Sequence, residues 1–110
     1  MAVTVYLDGS QTCVSTTEHT LTANPETTAG AFQIFLDLND LTSGENLTVK
    51  VYEKVQDSAG TQRVVWQDFR ANVQGVEKIW ASPVLMLING WRVTITATGT
   101  PVVPWDIRQG

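Results

Sequence analysis

The amino-acid sequence predicts an all-β fold, a single β-sandwich or small barrel of about eight short, mainly antiparallel strands. Three observations carry this expectation. Apolar and polar residues alternate at period two in several separate stretches, the pattern of a strand with one buried face. Turn chemistry built on Gly, Asn, Asp and Pro punctuates those stretches. Thr and Val stand out in the composition, and both are β-branched, which stiffens the side chain and favours a pleated strand over a helix.

The chain opens with Val3, Val5 and Leu7 alternating with Thr4 and Tyr6. Asp8-Gly9-Ser10 then reads as a turn, so a hairpin back along Thr12 to Thr16 is expected. Thr16 to Thr22 is polar and threonine-rich and suits an extended arm or edge strand, interrupted by Asn24-Pro25. Phe32, Ile34, Leu36 and Leu38 define a central strand. Leu47, Val49 and Val51 define a second, expected to pair with the first across the turn Asp40 to Glu45. Asp57-Ser58-Ala59-Gly60 reads as a hairpin loop leading into the strand Arg63 to Phe69. Ala71 to Trp80 fits either a short helix or a twisted strand, and Ser82-Pro83 ends it. Asn89-Gly90 opens the strand carrying Trp91, Val93, Ile95 and Ala97, and Gly99-Thr100-Pro101 turns the chain into a last strand, Val103 to Ile107. The same-face sets predict a core of Phe32, Ile34, Leu36, Val49, Val51, Val93, Ile95 and Ile107.

At 110 residues one core suffices, since a domain of this size removes roughly two-thirds of its unfolded surface from water. Residues 1–110 are read as one β domain, with 1–28 as an N-terminal arm or hairpin. A single cysteine, Cys13, excludes an intrachain disulfide and a thiolate metal cluster. The start carries no signal-peptide pattern, and the longest apolar stretch, Val84 to Ile88, is far too short to cross a bilayer, so synthesis in the cytoplasm without a membrane partner is expected. For the same reason Asn46-Leu47-Thr48 is read as an accidental glycosylation match.

Net charge is −4, which argues against a nucleic-acid partner. Its distribution is uneven. Met1 to Val49 contains no Lys or Arg but carries Asp8, Glu18, Glu26, Asp37, Asp40 and Glu45, while every basic residue lies from Lys50 onward. This describes either a solvated acidic face or a segment laid against a basic neighbouring subunit.

The residues that carry catalysis are not assembled in any recognisable pattern. His19 is the only histidine and no Gly-x-Ser-x-Gly elbow accompanies it, so a Ser/His/Asp triad is not expected and His19 reads as an exposed residue. Asp37, Asp40 and Glu45 fail the calcium-loop pattern at Leu41 and read as turn residues. Phosphate-binding glycine motifs and Cys-x-x-Cys are missing from the sequence. No catalytic, cofactor-binding or metal residue is assigned, no cofactor is expected, and the purified protein is expected to hydrolyse nothing. Trp66, Trp80, Trp91 and Trp105 read as core or subunit contacts, with a sugar-stacking platform as the alternative.

The segments Thr28 to Leu41, Gly44 with Leu47 to Val55, Ser82-Pro83-Val84, Gly90 to Ile95 and Pro104 to Arg108 together span most of the chain. In order and spacing they resemble a family of small all-β virion structural proteins of tailed bacteriophages. Thr96 to Pro101 departs from the Gly-Thr-x-Arg turn that this family carries before its last strand. The resemblance implies a non-enzymatic virion component, and the short chain then points to a decoration or cement protein on the capsid surface. Its implied partners are the major capsid protein and sister copies in a dimer or trimer. A tail or head-tail connector component, or a carbohydrate-binding module, is the alternative. Residues 1–28, poor in apolar anchors, are expected to be partly mobile and to order on a partner.

Overall fold

A computed structural model describes residues 3–42, 44–55, 60–71 and 79–110. The chain is all-β, as predicted, with nine strands among these residues. In chain order they are β1 (Thr4–Thr12), β2 (Glu18–Thr20), β3 (Gly30–Asp37), β4 (Asn46–Glu53), β5 (Arg63–Ala71), β6 (Ile79–Ala81), β7 (Leu85–Leu87), β8 (Arg92–Ala97) and β9 (Val102–Gln109). A five-stranded sheet has the order β1-β9-β3-β6, with β7 also on β3, and a four-stranded sheet has the order β2-β8-β4-β5. Every pairing is antiparallel.

The inner faces of the two sheets form one core. Period-two patterning puts Phe32, Ile34 and Leu36 of β3 opposite Leu47, Val49 and Val51 of β4, with Val93, Ile95 and Ala97 of β8 and Val103 and Ile107 of β9 completing it. All eight residues expected in the core are at most 1% exposed. Truncating Ile34 or Val93 to alanine is expected to lower stability by about 1 to 4 kcal/mol; an unchanged denaturant midpoint in either variant would contradict this register.

Two local expectations are corrected. Asp8-Gly9-Ser10 makes no turn. These residues lie within β1, where they pair with Asp106, Trp105 and Pro104 of β9, so the opening strand runs to Thr12 and bonds to the chain's C-terminal strand instead of folding back on itself. Gly9 meets a packing need there: a Cβ at this position would lie 2.9 Å from Cζ2 of Trp105. Nor do β3 and β4 pair. They belong to opposite sheets, and the connection between them tucks Leu38 and Leu41 into the core, so it arches over the end of the sandwich. Residues 1–28 contribute two edge strands, β1 on β9 and β2 on β8, and the buried Cys13 between them. The loop expected at Asp57 to Gly60 falls largely on residues 56–59, and most of Ala71 to Trp80 on 72–78, outside the described residues; Ile79 and Trp80 are in β6.

Ser82 joins β6 to β7 without breaking the ladder of β3. Its N–H donates to Ile34 O at 2.8 Å and its Oγ accepts from Ile34 N at 2.9 Å, so a buried hydroxyl completes the pairing where Pro83, with no N–H, cannot. Gly99, at φ +95°, supplies the left-handed residue of the turn into β9.

Candidate binding surface

The titratable residues singled out in the sequence do not converge. Asp37 accepts from Asn39 N at 2.9 Å, Asp40 from Val102 N at 2.8 Å, and Glu45 from both Thr42 N and Thr42 Oγ1 at 2.8 Å. Those bonds hold the Glu45 carboxyl below its ordinary value. Each carboxylate satisfies backbone at a turn. His19 is half-buried, with Nε2 accepting from Val14 N at 2.9 Å and Nδ1 3.2 Å from Gln11 Nε2, so it ties β2 to the segment leaving β1. Burial pushes the Cys13 thiol up, which disfavours the thiolate. Among the described residues no group of three or more His, Cys, Asp or Glu could hold a metal ion, and no helix is long and apolar enough to cross a membrane.

The tryptophans are spent mainly on packing. Trp91 is fully buried, its ring 4.6 Å from that of Phe32, and its Nε1 donates to Thr28 O at 2.8 Å. Trp80 stacks on Trp66 at 5.6 Å and donates to Asp68 Oδ2 at 3.0 Å. Trp105 lies partly buried against Gly9. A platform of exposed tryptophans for sugar is therefore not present among the described residues.

Two outward surfaces remain, and they differ in charge. On the five-stranded sheet, register brings Asp8, Asp106, Phe35 and Ala81 into one row across four strands, with Ile79 and Asp37 paired in the next. Arg108 lays its guanidinium 3.7 Å from the centre of the Phe35 ring and pairs with Asp106 at 3.1 Å. Asp8, Ser10, Pro104, Trp105 and Ile79 complete an open groove of about 570 Å³, a volume in the range of ligand and side-chain clefts. The groove has an apolar floor and three carboxylates against one guanidinium.

On the four-stranded sheet, Arg92 lies 3.9 Å over the Tyr52 ring, and Glu18 accepts from Tyr52 Oη and Thr94 Oγ1, both at 2.7 Å. Partial burial by itself raises the Glu18 carboxyl, but these two hydrogen bonds and the charges of Arg92 and Lys50 outweigh it and hold the group below its ordinary value. A depressed folded-state value means that Glu18 stabilises the fold above its unfolded value, about 4.3, and that the contribution is lost as pH falls through the folded value. Glu18→Gln is thus expected to lower stability slightly at neutral pH, by less than about 1 kcal/mol for so exposed a site, and to match the parent in strong acid. Melting curves from neutral pH down through the carboxylate range check this; a constant gap at every pH would contradict it.

Apolar side chains also face outward along two edges. Val84, Met86 and Ile88, alternating through β7, are 62%, 72% and 59% exposed, and Val64, Val65 and Phe69 of β5 are 43%, 50% and 56% exposed. Sequence patterning could not find them as surfaces, because an apolar alternation looks the same whether it faces a core or a partner.

Fold and surface together define a two-sheet all-β module with apolar edges and oppositely charged faces. No family model matches the chain, and no curated protein matches it. Among solved structures it is similar to a pentameric capsid protein isolated from metagenomic phage sequences, at 17% identity over 93% of this chain and a TM-score of 0.38. The chain spans 60% of the length of that protein.

Proposed function

We propose that this chain is a non-enzymatic virion structural protein that decorates the capsid exterior of a tailed bacteriophage, with the major capsid protein and sister copies as its partners. The observation that carries the reading is the outward apolar row Val84, Met86 and Ile88 on the edge of the five-stranded sheet. Contiguous exposed apolar surface of this kind marks protein contact sites. The sequence resemblance supplies the class of partner, and its segments fall largely on β3, β4, β8 and β9, the strands that frame the core.

Purified particles examined by cryo-electron microscopy and quantitative mass spectrometry test it. Decoration requires hundreds of copies per particle; a few to tens would instead favour a tail or head-tail connector component. Met86→Asp is expected to reduce occupancy on particles while moving the stability of the free protein by no more than about 0.5 kcal/mol. Unchanged occupancy in that variant would remove the β7 row as the attachment surface.

A further inference from the structure

We infer that copies of this chain associate head to tail, the acidic groove of one receiving the basic β5 edge of the next. This deepens the proposed virion role by naming how sister copies meet. β5 is nine residues long and forms one edge of the four-stranded sheet, so among the described residues no strand lies beside its outer backbone groups. It carries exposed Arg63 and Arg70 at its two ends and exposed Val64, Val65 and Phe69 between. Its one carboxylate, Asp68, accepts from Trp80 Nε1 and pairs with Arg70 at 2.9 Å, which leaves Arg63 as the edge cation with no ion-pair partner among the described residues and a net positive edge.

The groove is its chemical complement. Asp8 and Asp106 stand opposite each other in the β1–β9 register, with Asp37 on the adjoining strand, and like charges so placed repel unless a cation comes between them. Arg108 neutralises Asp106; Asp8 and Asp37 have no ion-pair partner among the described residues. Beneath the carboxylates, Phe35, Pro104 and Ile79 give an apolar floor that suits the side chains of β5, whereas a purely hydrated cation would leave it uncovered. Groove and edge lie on different sheets of the same copy, so the contact is heterologous: each copy donates once and accepts once, and repetition closes a ring or extends a row.

Sedimentation equilibrium of the purified full chain, from micromolar to millimolar concentration, reads the contact directly. The native chain is expected to self-associate, and to do so more weakly in about 1 M NaCl, where the Debye length falls to about 3 Å. The paired substitutions Asp8→Lys with Asp37→Lys, or Arg63→Glu with Arg70→Glu, are each expected to weaken association roughly tenfold or more. Mixing the two variants restores it, because the untouched edge of the first meets the untouched groove of the second. Should the lysine variant fail to fold, Asp8→Asn with Asp37→Asn takes its place, with a smaller loss expected. A native chain that stays monomeric throughout, or variants that associate like the native chain, would overturn the inference. Particle occupancy separates this from the parent proposal: a monomer that still decorates capsids sinks only the head-to-tail contact, while self-association by a protein absent from particles sinks only the virion role.

Discussion

Replacing Trp91 with alanine is expected to lower the free energy of unfolding by about 3 to 5 kcal/mol, a large share of the roughly 5 to 15 kcal/mol that holds a domain of this kind together. The indole is fully buried between the sheets, tilted against Phe32, which in turn meets Tyr6 edge-on at 5.2 Å. Alanine leaves a cavity bordered by these rings and strands the Thr28 carbonyl that accepts the indole N–H. Trp91→Phe separates the two effects, retaining most of the ring volume while losing the hydrogen bond, with an expected loss nearer about 1 to 2 kcal/mol. Urea unfolding followed by circular dichroism measures both variants. A loss below about 1 kcal/mol for the alanine variant would mean that the ring is not the centre of the core.

Deleting residues 1–17 is expected to abolish cooperative unfolding, and not to release a folded domain from a dispensable arm. The deletion removes the eight register pairs that β1 makes with β9, including Thr4 to Gln109 and Thr12 to Val102. It takes away the buried Cys13, whose N–H donates to Pro101 O at 2.9 Å, and Tyr6, whose hydroxyl donates to Glu26 at 2.7 Å. It also strips β9 of one neighbour and opens the side of Trp105 that lies on Gly9. Each loss is modest, but their sum is comparable with the whole stability of a domain. A truncated chain that melts cooperatively at the parent temperature would support the reading of this segment as an arm.

The surfaces proposed for attachment and for self-association differ, β7 for the particle and the groove with β5 for sister copies. That separation makes the two independently mutable, since β7 pairs with β3 at Gly30 to Phe32, the groove gathers around Phe35 and Asp37 further along that strand, and β5 lies on the other sheet.

The sequence by itself determined the strands that build the core and the buried side of each. Phe32, Ile34 and Leu36, or Val93 and Ile95, advertise their faces because the side chains of a strand alternate and because β-branched residues suit a pleat, and both are local properties. Turn glycines such as Gly90 and Gly99 were legible for the same reason, each supplying a positive φ at one residue. Only the tertiary structure decided which strands pair. Asp8-Gly9-Ser10 has the composition of a turn, yet Gly9 is small because the Trp105 ring lies against it, and that ring sits ninety-six positions further along the chain. β3 and β4 are neighbours in sequence but lie in opposite sheets, a choice made by the burial of Leu38 and Leu41 in the connection. The acidic groove was hidden for the same reason: Asp8, Asp37 and Asp106 come from the beginning, middle and end of the chain, and antiparallel register between β1, β9 and β3 is what sets them side by side. Alternation is a property of consecutive residues, whereas pairing and surface charge depend on distant ones, so the pattern along the chain could reveal the first and not the second.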